Sequence, residues 1–384
     1  MHDRIVSWLQ ALVAIPSVNP AHHSERAQTP GEGALVTYLA RVFADLGADE
    51  IIYDPVLPKR DNLYAIWHGS DPAVALLDVH LDTVGVEQMT IDPFDPPVTA
   101  ERVWGRGAVD TKASLAIAIA AIEAHQRTGQ PFPQTIMIAC TVDEEELASG
   151  AIQLARWLTQ RRLRPATMVV AEPTNCQPVV GHTGLVRLWL ETHGTTAHTA
   201  QPHLGVNAIA GMAAVVTASV AEQRRLQALP ARALGHGQLT VSRIDGGIGL
   251  NIVPDRCRIG IDRRLVDGED VETVQQQLVA LAQAATDLVV TATPIVTAPP
   301  YYQSPDHPWI QELCAFHSTT ATIAPYGTNA FAYGDIPHCC IVYGPGSIAQ
   351  AHTADEWISI AELQRAAAWY RHWWRLGTTT TGAH

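Results

Sequence analysis

From residue 33 to about 175, apolar runs of strand length alternate with longer stretches whose apolar positions recur at helical spacing. VALLDVHLD (74–82), QTIMIACTV (134–142) and TMVVAEPT (167–174) have the nearly continuous apolar character of strands covered on both faces, and a proline stops the last of them. KASLAIAIAAIEAHQRTG (112–129) and GAIQLARWLTQRR (150–162) read as helices. This alternation predicts an α/β sheet with helices on both faces, whose functional residues sit at the carboxyl ends of its strands. At the amino terminus Ile5, Val6, Leu9, Leu12 and Val13 share one helical face, so a surface amphipathic helix is expected, ended by Pro16. Charges in its first turn and the polar break at Ser7 argue against a signal peptide.

The pattern changes near residue 180. GLVRLWLETHG alternates like a half-solvated strand, GVNAIAGMAAVVTASVAEQRRLQ reads as one long helix, and QLTVSRIDGG, DRCRIGIDRRL and DLVVTATPIV read as strands, with the helix VETVQQQLVALAQAAT before the last. Strand, helix, strand, strand, helix, strand predicts a small α+β, ferredoxin-like sandwich with two helices on one face of its sheet. We therefore expect one domain in two parts, 1–178 and 295–384, with 179–294 inserted between them. After Pro299, HPWIQELCAFH reads as a helix, CCIVYGPG as a strand and SIAELQRAAAWYRHWWRL as a closing helix, followed by a polar TTTTGAH tail expected to be disordered.

Composition narrows the classes. A chain of 384 residues that is 47% apolar and 16% charged has material for two cores and no reason for long disorder. Lysine and arginine number 25 against 38 acids, a balance of −13, which disfavours nucleic acid and anionic membranes as partners. No apolar run is long enough to span a bilayer. The six cysteines follow neither a CxxC spacing nor a disulfide framework, which fits a reducing cytoplasm. Seventeen histidines make metal chemistry worth testing.

Several side chains stand where that chemistry would need them. His80 and Asp82 end an apolar strand and, two apart, point to one face. Asp110 follows Gly105 and Gly107 and precedes an alanine-rich helix, whose positive end favours a carboxylate. DEEE at 143–146 leaves an apolar strand with no lysine or arginine in the same segment, a crowding that costs energy unless a cation or protons neutralise it. Glu172 repeats the strand-end position, and His352 follows a glycine-rich turn after a fourth strand. Each residue alone also fits a plain structural role. Two histidines and several carboxylates converging at the strand ends suit zinc or a similar metal, and a carboxylate shared by two ions is a recurrent hydrolase arrangement.

HLDTV, GRGAVDTKASLA, TVDEEELASG, AEPT, GTTAHTAQPHLGVNAI and GPGSIAQAHTADEW, in that order, resemble the signature of the dinuclear zinc metallopeptidase and deacylase family. That family includes acetylornithine deacetylase, succinyl-diaminopimelate desuccinylase, aminoacylases and glutamate carboxypeptidases. The resemblance runs from PSVNP to the last helix and implies a zinc-peptidase-like α/β catalytic domain with an inserted dimerisation domain. It implies that Asp110 bridges two zinc ions, with cobalt or manganese as substitutes. His80 and Glu172 would complete one ligand set, Glu145 and His352 the other. Asp82 would hydrogen-bond the second nitrogen of His80. Glu144 would be the general base and acid, and Asp143 and Glu146 structural. His198 matches a histidine that reaches a neighbouring subunit's site to stabilise an oxyanion, and Asn251 an asparagine that approaches the substrate. Arg264, with Asp262 in an Asp-x-Arg pattern, matches the arginine that grips a substrate carboxylate, in preference to Arg263.

Two positions depart from the family pattern, the first a mild change at a helix start and the second bearing on the substrate. Ala113 stands where glycine is common, and YGTNAFAYGDIPHCC keeps a Gly327-Thr328 pair used near the substrate but lacks the Cys-Thr-Glu triplet associated with acetylornithine deacetylases, which counts against ornithine specificity. The expected activity is a cytoplasmic, homodimeric amidohydrolase that cleaves an N-acyl amino acid. A dipeptidase or glutamate-type carboxypeptidase with the same metal chemistry is the alternative.

Overall fold

The computed structural model describes residues 2–22, 24–27 and 30–376. The TTTTGAH tail lies outside the described residues. The contacts divide the chain into two units: Met1–Val180 with Gln303–Thr322 and Thr328–His384, and Gly181–Tyr302 with Ile323–Gly327.

The first unit is built on a mixed sheet with the order Glu50–Leu57, Arg60–Trp67, Phe132–Thr141, Gly69–His80, Thr167–Val170, Cys340–Val342, after which Val342 pairs with Val179. Phe132–Thr141, Gly69–His80, Thr167–Val170 and Cys340–Val342 are mutually parallel, so their carboxyl ends share one edge. The register aligns those ends closely, with His80 opposite Thr141 and Asp78 opposite Val170. Their carboxyl-terminal halves are buried, from Val74 onward in Gly69–His80, as expected for strands covered on both faces. The helix Lys112–Gln126 is apolar around its circumference because His2–Val13 and Ile360–Trp373 both pack on it. The amino-terminal helix ends at Val13 and buries Ile5, Leu9, Leu12 and Val13.

The second unit is a four-stranded antiparallel sheet in the order Gln238–Gly246, Arg256–Leu265, Gly184–His193, Val289–Ala298, with the helices Ala208–Ala228 and Val271–Ala285 packed on it. Its own core joins Val186, Leu188 and Leu190 of the central strand to Met212, Val215, Leu278 and Ala282 of the helices. The unit runs past the expected boundary at 294, because Val289–Ala298 keeps pairing with Gly184–His193 as far as Ala298 opposite Leu185. Among the described residues no helix is long and apolar enough to cross a membrane.

Candidate metal centre

The shared strand edge of the first unit carries His80 at the end of one strand, Glu144 and Glu145 just after a second, Glu172 after a third and His352 after a fourth. Asp110 arrives from the turn before the helix at Lys112, where Gly105 and Gly107 have φ of 133° and 82°. A Cβ on Gly107 would press on Lys112 and Thr83 at 3.0 Å, so the turn needs glycine for both conformation and space. The Asp110–Thr111 peptide is cis.

The Asp110 carboxylate is divided between the histidines. Its Oδ1 lies 3.0 Å from Nε2 of His80, and its Oδ2 lies 3.2 Å from Nε2 of His352. The same His352 nitrogen is 3.2 Å from the Glu145 carboxylate. Two groups of donor atoms result, each within 4.8 Å: His80 with Glu144 and Glu172, and Asp110 with Glu145 and His352. The second group is the set expected from the sequence. The first brings Glu144, expected as a free base, alongside His80 and Glu172.

The electrostatics are those of a cluster short of positive charge. Among the described residues no lysine or arginine forms an ion pair with Asp110, Glu144, Glu145 or Glu172; the ion pairs of Asp110 and Glu145 go to His80 and His352. Burial pushes the Glu144 carboxyl up to about 8, with repulsion from Glu145, Asp110 and Asp82 adding to it. Glu172 is raised well above the ordinary range by burial and by Asp110 and Glu144, and burial likewise raises Glu145. Hydrogen bonds to Asp110 and Glu145 hold the His352 imidazole at about 10, and contact with Asp110 overcomes burial to raise His80. Asp110 itself is held below the usual carboxylate range by both histidines against the opposing effect of burial. Imidazole and carboxylate donors gathered this closely fit a pair of divalent cations of the zinc type, which would replace the missing positive charge.

Asp82 acts differently from expectation. Nδ1 of His80 lies 3.0 Å from the Asp82 backbone oxygen but 3.8 Å from its carboxylate. The carboxylate is drawn instead to three other donors: the backbone N–H groups of Glu144 and Glu145 at 3.0 and 3.1 Å, and the side-chain amide of Asn19 at 2.8 Å. It therefore sets the turn that carries both glutamates. Asp143, with φ of 68°, is held by Arg60, Asn19 and Ser149, while exposed Glu146 meets His22 at 3.0 Å.

The sequence reading passed over several supports of this edge. Arg60 forks onto Glu32 at 2.7 and 2.6 Å and also reaches Asp143. Asp78, two residues before His80, accepts hydrogen bonds from Tyr333 at 2.5 Å and Thr141 at 2.7 Å. Glu356 is buried and accepts four hydrogen bonds from the Asp110 turn. The one available signal for Glu356 was an acid placed where HTADEW turns into an apolar strand.

In the second unit, exposed His198 pairs with Ile252, and Thr199 donates to the backbone oxygen of Asn251 at 3.1 Å, so His198 and Asn251 are neighbours. Nδ1 of His198 accepts from the Ala200 N–H at 3.0 Å, which leaves the proton of a neutral ring on Nε2. Arg264 is not beside them. It sits near the other end of Arg256–Leu265, about 26 Å along the strand from Arg256 at ordinary strand rise. Its guanidinium meets Asp262 at 2.8 Å, whereas Arg263 is buried against Glu269. Thr328 is buried and caps the short helix Asn329–Ala332 by accepting from Ala330, and Gly327 has open space where a side chain would be.

Comparison with known proteins agrees with this architecture. Residues 76–375 match the family described as Peptidase family M20/M25/M40. The chain is 28% identical over 375 residues to an acetylornithine deacetylase of Yersinia pseudotuberculosis, covering 94% of each. It is 30% identical over 381 residues to a succinyl-diaminopimelate desuccinylase of Rhizorhabdus wittichii, again covering 94% of each. An M20 family metallo-carboxypeptidase of Sulfolobus solfataricus has the same fold, with a TM-score of 0.72 at 17% identity over 97% of this chain and 99% of that one. With the family pattern matched across most of its length and the cluster at the strand edge, the chain belongs to the M20/M25/M40 peptidase family and is a metal-dependent hydrolase.

Proposed function

We propose that the protein is a cytoplasmic amidohydrolase that uses two zinc ions to remove the acyl group of an N-acyl amino acid. The observation that carries this reading is the divided Asp110 carboxylate, one oxygen toward each histidine. His80, Glu172 and Asp110 would hold one ion, and Asp110, Glu145 and His352 the other. Two cations bound there supply Lewis-acid polarisation of the scissile carbonyl and make water a better nucleophile. Glu144 takes one proton from the attacking water and delivers it to the amide nitrogen as the C–N bond breaks. The water oxygen stays in the acid product and the amine leaves free. Asp82 keeps Glu144 and Glu145 in register through their backbone N–H groups.

The acyl-amino-acid reading rests on the deacetylase and desuccinylase relatives. His198 is assigned to oxyanion stabilisation in the site of a second subunit of a homodimer, with Asn251 beside it. Its exposure and its Nε2 proton support this role. Arg264 is assigned to the substrate carboxylate, since the alternative, Arg263, is buried in an ion pair. The six cysteines, which follow neither a CxxC spacing nor a disulfide framework, accord with a reducing compartment.

Metal analysis of the purified chain should give two equivalents. Glu144→Ala should lower kcat by about 10²- to 10⁴-fold with metal content unchanged, and near-normal turnover would remove Glu144 from the role of base. A panel of N-acetyl, N-succinyl and dipeptide substrates should show the acyl amino acids turned over best. Preference for dipeptides would make the enzyme a peptidase instead.

A further inference from the structure

The loop that carries Asp110 and the segment that carries His352 are fastened to each other by one buried side chain, Glu356. Its Oε1 accepts from the backbone N–H groups of Val109 at 2.8 Å and Asp110 at 3.0 Å. Its Oε2 accepts from the N–H of Gly107 at 3.0 Å and from the guanidinium of Arg106 at 2.8 Å. Arg106 completes the clasp by donating to the backbone oxygen of Thr353, next to His352, at 3.2 Å, and to that of Gly85 at 3.1 Å. The Gly105 N–H donates to the Glu356 backbone oxygen at 2.9 Å. Glu356 is 1% exposed and Arg106 3%, so the bonds face no competition from water.

Asp110 can present one oxygen to each histidine only while its backbone stays at a fixed distance from His352, whose own φ of 58° is held by the surrounding chain. We infer that Glu356 is a positioning residue that fixes the Asp110 turn against the His352 segment and so sets the spacing of the two cation sites. The inference rests on the two-cation reading given above. Glutamine is nearly the same size but can accept through only one of its two end groups. In Glu356→Gln, whichever end bears the NH₂ meets two donors with a third, and that half of the clasp opens.

The test uses the full-length chain, stripped by chelation and titrated with zinc against a chromophoric chelator. In parallel, the cobalt-loaded protein is examined by electron paramagnetic resonance, which reads magnetic coupling between two bridged ions. Leu313→Ala, at a fully buried position in the helix Pro308–His317, serves as a control for general destabilisation. Wild type should bind two equivalents with coupled cobalt. Glu356→Gln should bind its weaker ion about ten- to a hundredfold less tightly and lose the coupling, while Leu313→Ala should melt earlier yet bind both ions as wild type does. Arg106→Lys, which keeps the charge but not the fork, should weaken the second ion less and provides the comparison if Glu356→Gln does not fold. Wild-type affinity and coupling in Glu356→Gln or, failing that variant, in Arg106→Lys would overturn the positioning role while leaving the two-cation reading intact. Failure of the wild type itself to take up two ions would overturn both.

Discussion

Asp143, Glu144, Glu145 and Glu146 are four consecutive acids that spacing alone cannot rank, and their partners separate them. Asp143 is locked by Arg60 and Ser149, Glu146 points to His22, and the middle pair turns inward to the histidines because Asp82 accepts both of their backbone N–H groups. The residues that do the holding were hidden from a linear reading. Asn19, Arg60 and Glu356 act on segments 63 to 250 positions away. His317 shows the same dependence on distant partners outside the site. Burial lowers its imidazole to about 4, Arg365 adds repulsion, and its Nε2 lies 2.7 Å from the Tyr343 hydroxyl. Because the folded value lies below the ordinary 6.5, the unfolded chain takes up the proton first. The stability due to neutral His317 is complete above about pH 6.5 and is lost as pH falls toward 4. His317→Gln should therefore be less stable than wild type at pH 7, and the gap in Tm should narrow by pH 5. A gap that stays constant would place the effect in packing alone.

Helices and strands follow the apolar pattern where burial is uniform and depart from it at edges. Lys112–Gln126 and Val271–Ala285 lie within the stretches that periodicity marks as helical, and Ser149–Arg161 is shifted by one residue from the expected 150–162. The hairpin Glu50–Leu57 and Arg60–Trp67 was not singled out. Its outer strand buries only Asp54, contains Pro55 and shifts register there, so it lacks the apolar run of a central strand. Capping offers a test at this level. Asn207 begins the helix Ala208–Ala228 by accepting from the Ala210 N–H at 3.1 Å. Asn207→Ala should lower stability by about 1 kcal/mol in denaturant unfolding, and Asn207→Gly by only a few tenths. Equal losses for the two would show that the hydrogen bond is not what matters at this position.

Across the whole chain, the candidate metal ligands come from segments around residues 80, 110, 145, 172 and 352, so bound cations would tie together parts of the first unit that are far apart in sequence. Zinc should accordingly stabilise the folded chain with a dependence on free metal, by about 2.7 kcal/mol per site at a hundred times Kd, and raise Tm with it. Hydrogen exchange should slow in the first unit around these segments, while Gly184–His193 and Arg256–Leu265 of the second unit keep their protection. Equal slowing in both units would mean that metal reports on global stability only. The two cores make separate responses reasonable, since each unit buries its own apolar cluster.

The sequence by itself determined the fold class and pointed to an inserted α+β unit, because both depend on local periodicity written along the chain. It offered His80, Asp110, Glu145, Glu172 and His352 as candidate donors through ordered motifs that resemble a known family. Tertiary structure alone decided that Asp110 is divided between His80 and His352, that the Asp82 carboxylate serves the glutamate turn, and that Arg264 lies far along its strand from His198 and Asn251. It also made Glu356 the clasp of the Asp110 turn. The reason is that a hydrogen bond of about 3 Å joins groups by position in space, and two loops 246 residues apart carry no local trace of their meeting.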